Sequence, residues 1–294
     1  MTTVFTWLKA LTGLMALWLA SFAVASEEQR VVEKVEGAAP AALNAALPTL
    51  WVAGDSTAAN GNPNATGWGK PLGLFFDPEK INVVNRARGG RSSRTFVTEG
   101  LWAQIVDQLK AGDVVLIQFG HNDGGPMFTG RARASLPGLG DETQAGEHPD
   151  GRKETVRTFG SYMRQMIADV KAKGATPVLL SLTIRQRWQD GKVERTNGKY
   201  AEWTAALARS EGVAYIDLST LIADRYDALG EEAVKAFFPK DYVHTGPEGA
   251  EVNAELVVAG LKALKKNPFG TLDPFSARGA AVEPATNAVH DAAR

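Results

Sequence analysis

No cysteine occurs in the 294 residues. Disulfides, zinc–thiolate sites and thiol nucleophiles are therefore excluded. Histidine is scarce, with four copies, so a centre built from many imidazoles has little to draw on. Neither sign of charge is in excess: 32 Lys and Arg face 33 Asp and Glu, for a formal net charge of −1. A general nucleic-acid binder carries a basic surplus, and this chain has none. The long apolar stretch near the start, Ala10–Ala20, is short for a membrane span, and no basic stop-transfer follows it. What the chain does have is 44% hydrophobic residues, ample for one large domain or two small ones.

The N-terminal order of features reads as a secretory signal: Lys9, then the apolar run, then Ala23-Val24-Ala25 with a small-x-small cleavage pattern. Cleavage after Ala25 predicts an exported protein, periplasmic or extracellular, with no membrane attachment once the signal is gone. The lack of disulfides fits a core that needs no covalent staples. Residues 26–47 are charged and Ala-rich and read as a linker. Residues 48–267 carry the folded domain, and the small, polar stretch 268–294 reads as a disordered tail.

Within the domain, short apolar runs alternate with helical patterns. Strands are expected at Thr49–Ala53, Ile81–Asn85, Val114–Phe119, Pro177–Leu182 and Val213–Ile216. Helices are expected at Glu154–Lys173, stopped by Gly174, and at Tyr200–Glu211, Leu218–Leu229 and Glu248–Leu264. The alternation predicts an α/β fold with a mainly parallel five-stranded sheet between helices. In a flavodoxin-like strand order the tips of the first three strands are neighbours, at the edge where such sheets bind ligands.

Those tips carry chemistry. The first ends in Gly54-Asp55-Ser56-Thr57, the second in Asn85-Arg86-Ala87-Arg88-Gly89-Gly90-Arg91-Ser92, the third in Gly120-His121-Asn122-Asp123. A fourth segment, Asp241-Tyr242-Val243-His244, precedes the last helix, where Thr245 and Glu248 are spaced as a capping box and Pro247 marks the helix start. A serine hydroxyl needs a base within hydrogen-bond reach and a third group to orient that base. Ser56, His244 and Asp241 are the right three types. Acyl transfer also needs donors for the developing oxyanion. The Ser56 N–H, a glycine N–H at 89 or 90, and the Asn122 amide answer that need. Each signal alone has a plainer meaning: Asp, Ser and Thr are N-cap residues, paired glycines make tight turns, and Asn-Asp is common turn material. His121 reads as structural, His148 and His290 as solvated, and Trp68 as core. The weight comes from their order along the chain.

Taken together, the blocks "GDST", "ARGGRS", "GHND" and "DYVH" resemble the SGNH hydrolases, in that family's order. The extended "GDSTAA", the "GWG" at Gly67–Gly69, "IQFGHNDGG" and "HTGPEGAEV" resemble its rhamnogalacturonan acetylesterases, over about Thr49 to Leu264. The resemblance implies a three-layer α/β/α sandwich and a carbohydrate esterase that needs no cofactor or metal. It implies Ser56 as nucleophile and first oxyanion donor, Gly90 as the second with Gly89 competing, and Asn122 as the third. His244 would be the base and Asp241 its orienting acid. The expected substrate is acetylated pectin or rhamnogalacturonan, handled by a monomer. Arg131, Arg133, Arg152, Arg185 and Arg187 are rim candidates for an anionic chain, and Arg185 and Trp188 are the expected substrate-binding pair. Loop 124–152 has no evident counterpart in the family.

Other classes compete. Acetylxylan esterases, lysophospholipases and thioesterases would use the same constellation. An α/β-hydrolase would place Gly-x-Ser-x-Gly after a later strand. A metallophosphoesterase would recruit Asp55, His121, Asp123 and His244. A carbohydrate-binding protein on this fold would have lost one of the three reactive residues, and all three are present.

Overall fold

The computed structural model describes residues 43–195, 198–287 and 289–290. The expected signal and most of the expected linker lie outside them. The strands are β1 (Thr49–Gly54), β2 (Asn82–Asn85), β3 (Val114–Gln118), β4 (Thr143–Glu147), β5 (Lys153–Arg157), β6 (Thr176–Leu180), β7 (Trp188–Gln189), β8 (Lys192–Val193), β9 (Ala214–Ile216) and β10 (Val289–His290). The helices are α1 (Ser93–Thr98), α2 (Leu101–Val106), α3 (Phe159–Ala172), α4 (Gly198–Glu211), α5 (Leu218–Leu229), α6 (Glu231–Lys235), α7 (Pro247–Ala263) and α8 (Ala277–Ala280).

All five expected strands form, parallel, in the order β2-β1-β3-β6-β9. Alternation within them builds two cores. Leu50, Val52, Leu116 and Leu180 face α5 and α7, while Trp51, Ala53, Val115 and Ile117 face α1 to α4. A strand buried on both faces reads as a continuous apolar run, which is why β1 and β3 were evident in the sequence. The result is the expected three-layer sandwich. Helix α3 ends as expected: Gly174 takes a left-handed φ of 71°, open to glycine at little steric cost.

Three expectations are corrected. Helix α3 does not start at Glu154. Residues Lys153–Arg157 pair antiparallel with Thr143–Glu147 instead. Thr158 caps α3 by accepting the Ser161 N–H at 3.0 Å, so the β-branched Thr155 and Val156 fall outside the helix and join a strand.

The tail beyond 267 is not structureless. Phe269 and Phe275 pack on Phe76, with ring centroids 6.0 and 5.3 Å away. Ser276 donates its N–H to the Phe75 carbonyl, and Ala285 donates to Ala259. Lys262 gathers the carbonyls of Gly279, Ala280 and Val282. Finally β10 adds an antiparallel sixth strand outside β9. Low average hydropathy concealed a few well-spaced aromatic anchors.

The third correction concerns the last helix. Thr245 does not cap α7; its hydroxyl donates to the Thr66 carbonyl at 2.8 Å. Gly246 is the N-cap and Pro247 opens the helix, where a missing N–H costs nothing.

Candidate active site

The segment after β1 is a tight turn, not a helix cap. Ala58 and Ala59 both donate N–H to the Asp55 carbonyl. The buried Asp55 carboxylate accepts from the Thr57 N–H and hydroxyl, each at 2.9 Å. Ser56 stands at the crest, half-buried. Gly54 sits in a tight place: a Cβ there would lie 3.1 Å from both the Gln118 carbonyl and the Ala58 Cβ, so these neighbours would have to shift by a few tenths of an ångström.

The turn is backed by Gly67-Trp68-Gly69. Their three N–H groups donate to the carbonyls of Ala59, Thr57 and Ala58. A Cβ on Gly67 would come within 2.4 Å of Ala58 backbone, and one on Gly69 within 2.5 Å of the Ala58 carbonyl. Trp68 is fully buried, as expected for core, and its indole N–H donates to Gln118 Oε1 at 2.8 Å. Gln118 in turn donates to the Ser181 carbonyl on the far side. The glycine–tryptophan–glycine spacing carried this signal in the sequence, and its supporting role was not read there.

The other strand tips converge as expected. Asn85 donates its side-chain amide to the Ala58 carbonyl at 2.7 Å. Gly89 lies beside Ser56, its Cβ position 3.8 Å from that of the serine. Gly90 alone of the pair takes a left-handed φ, 76°. Ser92 caps α1 in a reciprocal box with Thr95. Asn122 is nearly buried and donates one amide N–H to the Arg91 carbonyl at 2.9 Å, leaving the other for a ligand. Asp123 ties the first helix to the loop beyond: it accepts from the Ser93 N–H and hydroxyl and from the Ser135 hydroxyl. Burial raises the Asp123 carboxyl to about 6 in spite of those bonds.

The Asp241–His244 loop delivers the remaining pair. Asp241 Oδ1 accepts the N–H groups of Val243 and His244, each at 2.8 Å, and Oδ2 meets His244 Nδ1 at 2.8 Å. His244 Nε2 lies 2.9 Å from Ser56 Oγ. Partial burial opposes ionisation of Asp241, but the bonds from His244 and Val243 outweigh it and hold the carboxyl below its usual range. So the aspartate is charged, the ring is oriented by it, and the serine is the ring's remaining partner. His121 sits alongside. Its Nε2 meets Thr183 Oγ1 at 3.1 Å, and burial disfavours its charged form against the pull of Asp55. Among the described residues no three His, Asp or Glu side chains gather as a ligand set for a metal ion.

Loop 124–152 is fastened by a buried ionic hub. Arg94, 1% exposed, makes a fork-to-fork pair with Glu154 at 2.8 and 2.7 Å and also donates to the carbonyls of Met127 and Ala134. His148, expected to be solvated, is buried and bonds Glu154 at 2.8 Å. The side chain of His290 lies outside what the structure describes. Arg133 from this loop donates to the Gly90 carbonyl at 3.2 Å, and the Ser92 hydroxyl donates back to the Arg133 carbonyl. The loop therefore braces the glycine pair. Burial alone would raise the Glu154 carboxyl, but bonds from Arg94, Arg152 and His148 bring it down to about 2. Glu154→Ala is expected to cost about 3–5 kcal/mol, because it strands a buried guanidinium. Urea unfolding at neutral pH checks this, and a loss under about 1 kcal/mol would contradict it. Because the carboxyl is depressed, its stabilisation is complete above the ordinary glutamate range and fades as pH falls toward about 2.

The other rim candidates divide. Arg185 lines a cleft with His121, Lys199 and Tyr200. Trp188 does not line it: it is half-buried, pairs across the β7–β8 hairpin with Val193 and packs on the core. Arg187 stacks over Tyr242 at 4.4 Å. Arg152 is taken up by Glu154, and Arg131 is exposed. The sequence reading missed Arg88 and Lys240, which line the cleft at Ser56.

A parallel α/β sandwich that brings a hydrogen-bonded serine, histidine and aspartate to one sheet edge is the frame of a serine hydrolase. The chain belongs to the GDSL-like lipase/acylhydrolase family, which matches residues 52–252. It is a carboxylic ester hydrolase. It is 37% identical to the rhamnogalacturonan acetylesterase of Emericella nidulans over 221 residues, covering 75% of this chain and 86% of that protein. It is 31% identical to rhamnogalacturonan acetylesterase RhgT of Bacillus subtilis, covering 73% and 90%. Among solved structures, protein YxiM of Bacillus subtilis superposes with a TM-score of 0.60 at 28% identity, covering 74% of this chain and 56% of that one.

Proposed function

We propose that the protein removes O-acetyl groups from rhamnogalacturonan-type polysaccharide through an acetyl-serine intermediate. The observation that carries this is the unbroken relay from Asp241 through His244 to Ser56, with contacts of 2.8 and 2.9 Å. The names of the relatives support the acetylated pectic substrate.

In this reading Ser56 Oγ attacks the acetyl carbonyl while His244 Nε2 takes its proton. The carbonyl oxygen becomes an oxyanion held by the N–H groups of Ser56 and Gly90 and by the free amide N–H of Asn122. As the intermediate collapses and its C–O bond to the sugar breaks, His244 gives its proton to the departing sugar oxygen, which leaves as a hydroxyl. Water, deprotonated by His244, hydrolyses the acetyl-serine and restores the serine. The left-handed backbone at Gly90 fits it as the second donor, with Gly89, which lies beside Ser56, as its competitor. Losing one oxyanion donor costs on the order of 10²–10³ in rate, so Asn122→Ala is expected to lower kcat by that factor. Steady-state hydrolysis of p-nitrophenyl acetate measures it, and a loss under about threefold would remove Asn122 from the role.

Acetate release from a panel of acetylated pectins, acetylated xylans and p-nitrophenyl esters of rising chain length tests the substrate. Release from pectic material above xylan, with long-chain esters slow, is expected. Preference for long acyl chains would overturn the reading in favour of a lipase. The export reading rests on Lys9, the run Ala10–Ala20 and the Ala23-Val24-Ala25 site. Mass spectrometry of the protein recovered outside the cytoplasm is expected to find Ser26 as its first residue.

A further inference from the structure

Two clefts flank the reaction centre. One, about 480 Å³, includes Ser56, His244, Arg88, Gly89 and Lys240 in its walls. The other, about 660 Å³, includes His121, Arg185, Lys199, Tyr200 and Trp203. Each wall carries two cationic side chains and neither carries an aspartate or glutamate. The chain as a whole is nearly balanced, with 32 basic and 33 acidic residues, whereas the side chains lining these walls are cationic or neutral, with Asp55 and Asp123 buried behind the second. Positive charge concentrated in a low-dielectric cleft raises the local concentration of an anionic ligand.

Arg185 is the sharpest feature of the second cleft. Its Nε is buried and has no hydrogen-bond partner. Arg86 shares an unpartnered buried Nε but lies over the Trp51 ring, whereas Arg94 pairs with Glu154, Arg195 with Asp224 and Asp227, and Arg225 with Glu255. A desolvated guanidinium donor without an acceptor is costly. Its fork geometry matches a carboxylate. Tyr200 and Trp203 rest on the core and line the same cleft, edge to face with ring centroids 5.1 Å apart.

The second cleft joins the reaction centre at two points. His121 precedes Asn122 and lies within electrostatic reach of both Asp55 and His244. Gln186, next to Arg185, donates its backbone N–H to the Tyr242 carbonyl at 2.8 Å, inside the Asp241–His244 loop.

We propose that the second cleft is a uronate subsite, which binds a carboxylated sugar of the substrate chain while an acetylated sugar occupies Ser56. Arg185 takes the carboxylate, Lys199 adds a second cation at the edge, and Tyr200 with Trp203 lines the side that meets the apolar face of the sugar. The assignment rests on reading Ser56 as the nucleophile of a polysaccharide acetylesterase.

The test uses two matched probes: a galacturonate–rhamnose oligosaccharide and the same oligosaccharide with its carboxyl groups reduced to alcohols. Calorimetric binding of the non-acetylated forms to the full-length protein reads the subsite without turnover. Acetate release from the acetylated forms reads the reaction. The carboxylated form is expected to bind at least tenfold tighter than the reduced form. Arg185→Gln is expected to abolish that ratio, and Lys199→Ala to reduce it. For hydrolysis the loss should appear in KM, with kcat nearly kept. Circular dichroism and melting establish that each variant is folded, and the ratio is taken on one protein preparation at a time. Equal binding of the two probes by the unaltered protein would overturn the subsite, as would a ratio unaffected by Arg185→Gln. Selective binding without acetate release would leave the subsite standing and overturn the acetylesterase reading.

Discussion

Ser56→Ala is expected to lower kcat for p-nitrophenyl acetate by a factor on the order of 10⁶, the scale of loss when a serine hydrolase loses its nucleophile. Nothing in the turn replaces it. Thr57 is committed to Asp55, and its hydroxyl is buried beneath the crest. The fold should not register the change. The turn is held by Asp55 and by the backbone bonds to Gly67–Gly69, none of which uses the Ser56 hydroxyl. Stability is therefore expected to stay within about 1 kcal/mol of the parent. Stopped-flow and steady-state assays of the purified variant measure the rate. Activity above a hundredth of the parent level would remove Ser56 from the nucleophile's role, because the oxyanion donors and binding alone do not sustain it.

Asp241→Asn is expected to lower kcat by roughly 10⁴ with substrate binding little changed. The argument lies in the backbone. Two N–H groups, from Val243 and His244, point at Oδ1. An asparagine must turn its carbonyl oxygen toward them, and that leaves its NH₂ facing His244 Nδ1. The ring then accepts at Nδ1 and carries its proton at Nε2, toward the serine. A ring in that tautomer cannot take the proton of the Ser56 hydroxyl. In the parent the carboxyl is held below its usual range, so the correct orientation persists into acid solution and is lost only as pH falls through that lowered value. NMR of the imidazole nitrogens reads the tautomer directly. A variant with full activity, or one with Nδ1–H retained, would contradict this account.

Much of this site could be read before the fold was known, and the reason is physical. Buried parallel strands announce themselves as continuous apolar runs, and the residues at their tips must then meet at one edge. Ser56 and Asn122 were legible on that ground, whereas the glycine pair follows the partly buried edge strand β2 and stood out by its spacing, with Asp241 and His244 adding complementary chemistry. Other features had no local signature. The β4–β5 hairpin is polar along most of its length, and its Glu154 is explained only by Arg94, sixty residues earlier. The cationic walls are made of residues far apart in sequence: Arg88 with Lys240, and Arg185 with Lys199 and His121. Trp188 lies half-buried against the core at the β7–β8 hairpin, outside the cleft that Arg185 lines. The Gly67–Gly69 pattern was visible, but what it supports lies eight to twelve residues upstream and required the turn to be seen.

The strap formed by residues beyond 267 sets where this protein can be cut. The segment shared with the family ends at 252, inside α7. A shortened chain ending at Asn267 would keep every residue of the reactive relay. It would also strip the aromatic cover from Phe76, free the Lys262 ammonium from three carbonyls, and leave β9 as an open sheet margin. Such margins recruit strands from other molecules. Trimming to Asn267 is therefore expected to give an aggregation-prone protein.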